Sequence, residues 1–358
     1  MTGSAVVDTD AALAEARAFY TPVLERGVGT LFEPRRSTCP WCHSPVLRIR
    51  LQSKDLIQRK PGQFVVEECG SCGHLFQNPR LNIDGLDFYY RDFYDGLGAE
   101  VAEYVFALGR EGNLSRARSV LRCTEPGNWL DVGTGRGHFP LHAAEILPHT
   151  RFDGLDLSAG VEEAARLGRV VTGHRGLFPE LAPRIAERYD VVSMHHYLEH
   201  TRDPRIELDA LAVVVRPGGL AEIEMPDVSA PFGRVLRSWW APWFQPQHQH
   251  FIPLANLLGA LRERGFTIVD IERHRAHTAV DLTYVAMFLT TLLAPDPQSP
   301  WAPPRDCSWR RRRHHLAWSK AFPALAKVAH VVDVGISRVL RSLDQGNAYR
   351  IVARKDTA

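Results

Sequence analysis

Between Asn128 and Pro226 short apolar runs alternate with helical patterns, and that alternation limits the fold more than any other feature of the chain. Strands read at 129–132, 151–155, 189–194 and 219–225, and helices at 137–147, 159–167 and 204–215. Parallel strands need long return connections, so strand and helix alternating at this spacing predict a parallel sheet with crossover helices. Helix punctuation agrees: Asp203 and Pro204 supply an N-cap and a first-turn proline, and the glycines of "RPGG" are expected to end the same helix. Leu254, Leu257, Leu258 and Leu261 then share one face of a helix that stops at Gly265, and "FTIVDIER" follows as a strand. The expected fold class is α/β.

The first strand runs into "WLDVGTGRGHF", with Asp131, Gly133, Gly135 and Gly137 in a D-x-G-x-G-x-G pattern. Glycines at a strand end let the backbone turn sharply and approach a ligand closely. A dinucleotide loop would carry glycine where His138 stands. The Asp131 carboxylate suits a cationic amino group better than a pyrophosphate. Asp156 ends the next strand, where a ribose diol would sit, and Ser158 is expected to cap the helix that follows.

These residues resemble a class I S-adenosylmethionine-dependent methyltransferase. The resemblance covers roughly 123–274 plus the last ten residues, and includes "YDVVSMHHYLEHTRDP", "RPGGLAEIEMPD" and "PQHQHFIPLANLLGALRERGF". It implies a Rossmann-like sheet, mostly parallel with an antiparallel last strand. It also implies that Asp131 meets the methionine amino group, Gly133, Thr134, Gly135 and Gly137 pass beneath the cofactor, and Asp156 holds the ribose hydroxyls. Leu157 and His195 complete the expected cofactor set. "GHRGLF" after the third strand lacks the acid many relatives offer to adenine, which leaves that contact to the backbone.

Six cysteines are present, four of them as Cys39, Cys42, Cys69 and Cys72 in a C-x2-C-x26-C-x2-C pattern. Two such knuckles present enough thiolates to close a tetrahedral structural zinc site. Gly73 fits a tight knuckle, whereas His43 stands at the corresponding place in the first. "CPWC…CGSCGHLFQNPR" followed by "FYYRDFY" resembles the N-terminal zinc ribbon of bacterial sugar and secondary-metabolite methyltransferases. Ribosomal RNA guanine methyltransferases also carry an N-terminal zinc site, with closer and more basic knuckles. The expected organisation is an N-terminal helical segment (1–37), the zinc-ribbon module (38–82), a helical linker or cap (83–122), the methyltransferase domain (123–274), a helical insertion (275–346) and the last strand (347–358).

Methyl transfer to a hydroxyl requires alignment with the sulfonium and removal of a proton, and a histidine titrates in the useful range. Two clusters fall beyond the strand ends: His195, His196, Glu199 and His200, and then His248 and His250. His196 and His248 are the leading candidates for the base. H-x-x-E-H at 196–200 also matches the inverted zinc-protease motif, but that motif belongs on a helix and these residues follow a buried strand. Ubiquinone-pathway O-methyltransferases use E-x-x-E-H here for a divalent cation, so the resemblance raises a divalent site at His196, Glu199 and His200. The plainer reading is that Glu199 and His200 cap the next helix. Trp239, Trp240, Trp243, Phe244 and Phe251 would wall a substrate pocket or fill a core beneath a long loop. Tyr90 and Tyr94 stand to close the same cleft from the other side.

The stretch from 275 to 346 is too long for a plain loop. It holds the apolar run 279–294, the basic tract "WRRRRHH", and a helical pattern at Leu325, Val328, Val332, Ile336, Val339 and Leu343. A lid over a lipid-like or glycosylated substrate, a homodimer surface and peripheral contact with an anionic membrane all fit it. The apolar run is too short to span a bilayer, and the N-terminus lacks a signal-peptide pattern, so a cytoplasmic protein is expected. Net charge is only +2 and the ribbon's charges are mixed, which speaks against a nucleic-acid partner. The expected function is O-methylation of a hydroxyl on a sugar, glycolipid or secondary metabolite. The alternatives are RNA base methylation through the ribbon, or cofactor binding without turnover.

Overall fold

The computed structural model describes residues 9–91, 109–296, 299–302 and 309–357. In chain order, the N-terminal part comprises α1 (Thr9–Arg26), β1 (Leu47–Ser53), β2 (Phe64–Cys69), β3 (Leu75–Gln77), α2 (Ile83–Tyr90) and α3 (Arg110–Leu121). The middle part comprises β4 (Asn128–Val132), α4 (His138–Ala143), β5 (Arg151–Asp156), α5 (Gly160–Arg166), β6 (Gly173–Arg175), α6 (Phe178–Leu181), β7 (Tyr189–His195), α7 (Pro204–Val214) and β8 (Val215–Pro226). The last part comprises α8 (Pro231–Val235), β9 (His250–Phe251), α9 (Leu254–Arg262), β10 (Phe266–Glu272), α10 (Asp281–Leu293), α11 (Trp309–Ser342) and β11 (Ala348–Lys355).

Seven strands form the central sheet in the order β10-β11-β8-β7-β4-β5-β6. Pairings β4–β5, β4–β7, β5–β6 and β7–β8 are parallel, while β11 runs antiparallel to both β8 and β10. The expected mostly parallel α/β sheet with an antiparallel last strand is therefore the observed one. Strand order reverses at β4, which has β5 on one side and β7 on the other, so the carboxyl end of β4 opens the crevice where such sheets bind ligands. Leu130, Val132, Val192, Met194, Ile223 and Ile351 are fully buried and carry the core on one sheet face. Trp129, Phe139, Phe152, Val191, Leu220 and Val352 form the second core.

A second sheet, β1-β2-β3-β9, carries the cysteine pairs. Its edge strand β9 comes from beyond β8, with Leu75 paired to Phe251 and Phe76 to His250. The cysteine module thus shares a sheet with a segment that follows β8, and Cys39, Trp41, Cys69 and Phe76 belong to the main core. A two-residue strand paired across this distance leaves no periodic trace in the sequence.

Local expectations need four corrections. "RPGG" does not cap α7: the helix ends at Val214, and these residues open β8, where Gly218 has φ +76°. The helix drawn through 147 is α4, which ends at Ala143. Asp203 alone caps α7, accepting from Arg205 N at 3.1 Å and Ile206 N at 3.4 Å, so Glu199 and His200 are free of that duty. Ser158 accepts from Gly160 N at 3.3 Å, an anchor one residue ahead of the expected cap position. Within the stretch expected as a helical linker or cap (83–122), α2 and α3 are helices, while 92–108, with Tyr94, lies outside the described residues. Among the described residues no helix is long and apolar enough to cross a membrane.

Candidate active site

The glycine loop leaves β4 with Gly133, Gly135 and Gly137 at φ +77°, +54° and +74°, a backbone that L side chains rarely adopt. Gly133 N donates to Leu155 O at 2.8 Å, which fastens the loop to β5. A Cβ on Gly135 would meet nothing within 4 Å, so the loop's crest faces open space. Asp156 closes the loop from β5: its carboxylate accepts from Gly135 N and from Ser158 N, each at 2.8 Å. Leu157 beside it is 65% exposed, an apolar side chain left at the rim of the crevice.

Asp131 is held by a relay. Trp129 Nε1 donates to Ser193 Oγ at 2.8 Å, and the hydroxyl of Ser193 donates to Asp131 Oδ1 at 2.7 Å. His195 lies alongside with Nδ1 3.5 Å from the same carboxylate oxygen and Nε2 2.9 Å from Glu222. Two buried polar atoms here lack a hydrogen-bond partner among the described residues, Thr134 Oγ1 and His195 Nδ1. Buried polar atoms are nearly always paired, so an unpaired pair beside a bare glycine loop marks a ligand position.

Register accounts for the chemistry of this face. Glu272 pairs with Arg350, Arg350 with Glu224, and Glu224 with His195, giving one polar row across four strands. The neighbouring row runs from Glu222 through Ser193 to Asp131. Arg350 is 1% exposed and binds Glu224 through Nη2 at 2.6 Å and Glu272 through Nη1 at 2.9 Å, while Arg116 from α3 reaches Glu224 at 2.5 Å. Burial opposes ionisation of Glu224, but the two guanidiniums and His196 outweigh it and hold the carboxyl well below its ordinary range. A charge buried at this depth is stable only with such partners. The acids of "AEIEMPD" were the sequence signal for these rows.

His196 follows β7 in the left-handed region, φ +50°, fixed by its N–H donating to Glu224 O at 2.9 Å. Its Nδ1 is 3.0 Å from Glu199 Oε1 and its Nε2 is 3.2 Å from Glu224 Oε1. Desolvation disfavours the imidazolium, yet hydrogen bonds to the two carboxylates prevail and raise its pKa to about 9. Both ring nitrogens thus face carboxylate oxygens. The residues whose ligand atoms come within metal-holding distance differ from the expected His196, Glu199 and His200 in that His248 stands in place of His196. One atom each of Glu199, His200 and His248 lies within 4.8 Å of the others.

That trio has unusual local bonding. Tyr90 Oη donates to Gln247 O at 3.1 Å and so accepts from His200 Nδ1 at 2.8 Å. His248 Nδ1 donates to Pro242 O at 2.7 Å. Each ring thus keeps Nε2 as an acceptor, and Glu199 Oε2 is buried without a hydrogen-bond partner among the described residues. Burial, with His200 close by, lowers the His248 pKa to about 3, so the ring is neutral. Burial lowers His200 too, while Glu199 stays ionised because His196 overcomes its desolvation. Three acceptors facing one another need a proton donor or a cation between them.

The remaining candidates lie elsewhere. His250 sits in β9 with Nδ1 3.1 Å from His74 Nε2, at the junction with the cysteine sheet, and burial drops its pKa to about 3. Trp240, Trp243 and Phe251 pack with Leu51 and Val66 as core under the loop. Phe244 stacks on His248 at 5.2 Å, and Phe251 meets the same ring edge-on at 6.0 Å.

Cys39, Cys42, Cys69 and Cys72 bring their sulfurs within 4.8 Å of one another, with no disulfide among them. Cys39 Sγ is 3.8 Å from Cys72 Sγ and Cys42 Sγ is 3.5 Å from Cys69 Sγ. A tetrahedron with zinc–sulfur bonds of about 2.3 Å has edges of about 3.8 Å, so the cluster is compatible with zinc. Gly73 and His43 take the same left-handed turn, φ +71° and +61°, so the histidine adopts the glycine's conformation in its knuckle.

Residues 106–271 match the family model described as a methyltransferase domain. Ubiquinone biosynthesis O-methyltransferases of Aromatoleum aromaticum and Erwinia tasmaniensis are 36% and 37% identical over 95 residues, 25% of this chain in both cases. The matched region spans about two fifths of those relatives, 40% and 38% of their lengths. A solved S-adenosylmethionine-dependent methyltransferase of Archaeoglobus fulgidus aligns with 75% of this chain and 99% of its own, at 19% identity and a TM-score of 0.43. The family match lies over the glycine loop and both acidic strand ends, so residues 106–271 are a methyltransferase domain, similar to that of the class I S-adenosylmethionine-dependent methyltransferases.

Proposed function

We propose that the protein transfers a methyl group from S-adenosylmethionine to a hydroxyl of a small molecule, on a sugar, a glycolipid or a secondary metabolite. The observation that carries this reading is the glycine loop at the end of β4, with its unpartnered Thr134 and His195 atoms, on the strand next to β7, whose end leads into the trio of Glu199, His200 and His248. The relatives named O-methyltransferases support oxygen as the acceptor atom.

When bound, the cofactor supplies an electrophilic methyl on a sulfonium. Asp131 would receive its amino group, Asp156 its ribose hydroxyls, and the loop at Gly133, Thr134, Gly135 and Gly137 would lie beneath it, with Leu157 at the rim and His195 beside Asp131. These residues fit the cofactor because they offer carboxylates to its donors and bare backbone to its bulk. His196 is protonated at neutral pH and cannot accept a proton, so we assign it to fixing Glu199. We assign the base to His248 Nε2. The Glu199 charge stabilises the imidazolium that forms, and His200 orients the hydroxyl. His250 would act only by fixing the loop.

The orphaned Glu199 oxygen favours a second reading, in which Glu199, His200 and His248 hold a divalent cation that lowers the hydroxyl's pKa. Zinc at Cys39, Cys42, Cys69 and Cys72 would be structural in both readings. Incubation with methyl-labelled cofactor and a panel of hydroxylated acceptors, with and without chelator, is the test. Label transfer that Glu199→Gln abolishes supports the assignment. Tight cofactor binding with no transfer to any acceptor would leave a binding protein instead.

A further inference from the structure

We propose that α11 is a docking surface for an anionic lipid membrane, a property independent of the methyl-transfer reading. The helix packs one face on α10: Asp333 accepts from Leu282 N and Thr283 N, each at 2.9 Å, and His315 Nδ1 donates to Ala294 O at 2.9 Å. α10 is tied to the body in turn, with Trp240 Nε1 donating to Asp281 Oδ1 at 2.8 Å. Away from that contact, one arc of α11 is uncovered among the described residues. Leu325, Val328, Val331, Val332 and Val339 lie there, exposed by 40% to 66%, and Leu343 follows the helix end at 60%.

Charge selects the occupant. Over its 34 residues α11 carries Arg310, Arg311, Arg312, Arg313, Lys320, Lys327, Arg338 and Arg341 against one acid, Asp333, which is 2% exposed and spent on α10. Arg313, Lys320, Lys327 and Arg338 follow one another at 7, 7 and 11 residues, near whole numbers of helical turns, and are exposed. They form a basic stripe along one edge of the apolar arc. Long cationic side chains flanking an apolar face allow that face to enter the acyl boundary while the charges remain at the headgroups. A second copy would bring the same cations and no exposed carboxylate on its own α11. Nucleic acid would satisfy the cations and leave the valines and leucines without a partner.

The test is flotation of the full-length protein with vesicles of phosphatidylcholine containing phosphatidylglycerol, and with vesicles of phosphatidylcholine alone. Binding to the anionic vesicles alone is expected. Lys320→Ala/Lys327→Ala/Arg338→Ala should weaken it about a hundredfold, at the usual contribution of each cation near such a surface. Val328→Ser/Val339→Ser should weaken it as well, because the apolar arc supplies part of the affinity. Circular dichroism reports whether each variant remains folded. No flotation with anionic vesicles would overturn the proposal. Flotation indifferent to the valine changes would overturn it too, pointing to charge alone. A concentration-dependent dimer in sedimentation, removed by the valine changes, would assign the face to a second copy.

Discussion

His196 Nδ1 stands 3.0 Å from Glu199 Oε1, an ion pair that settles which groups at the end of β7 are charged. The histidine keeps its proton, with a pKa raised to about 9, and the carboxyl is held below its ordinary value. His248, whose ring is neutral, is left as an acceptor.

Replacing His196 therefore has a definite pH signature. Its folded pKa exceeds the unfolded value, so the stabilisation is full below about pH 6.5 and fades as pH rises through about 9. His196→Gln should cost on the order of 1–2 kcal/mol at pH 6, after allowance for screening of a half-exposed ring. The gap to the parent should close toward pH 9.5. Urea unfolding across that range checks it, and a gap that widens with pH would contradict the assignment.

At the trio, Glu199→Gln and His248→Ala should each lower kcat on the order of a hundredfold or more, the usual scale for a lost general base. Affinity for S-adenosylhomocysteine should hold within about twofold, since neither residue is placed on the cofactor. Paired turnover and calorimetric measurements separate the two effects.

Gly137→Ala should destabilise the fold by about 2 kcal/mol. The position has φ +74°, and a Cβ there would stand 3.0 Å from the Cβ atoms of both Ala164 and Arg169. Urea midpoints compare it with Gly135→Ala, where the backbone is strained but no atom lies within 4 Å. The latter should lose less stability and more cofactor affinity.

Cys69→Ser should reduce bound zinc from about one per chain to almost none and loosen the cysteine sheet. β9 pairs with β3 in that sheet and follows His248 by one residue, so turnover should fall together with zinc content. Metal analysis alongside activity tests the coupling; full activity in a zinc-free protein would break it.

What the sequence made legible was local in spacing. The strand–helix alternation, the glycine loop with Asp131 and Asp156, and the paired cysteines each fall within a short window, and each stands where that spacing implied. The remaining features depend on pairing between distant segments. The part played by Glu224 shows only when Arg350, more than a hundred residues on, is seen opposite it in register. His248 joins Glu199 and His200 from the far side of a long loop, with Gln249 N donating to Glu199 O at 2.7 Å to hold it there. Burial of Trp240 and Trp243 follows from the cysteine sheet, whose edge strand is too short to read.

The central claim is a cofactor site built by Asp131, Asp156 and the loop between β4 and α4. Calorimetric titration with S-adenosylhomocysteine tests it most directly. The account predicts one site per chain with micromolar affinity, weakened at least about tenfold in Asp156→Ala and in Asp131→Ala, as expected for lost charge-assisted hydrogen bonds. A folded protein that gives no heat of binding, or binds equally well without either carboxylate, would contradict it.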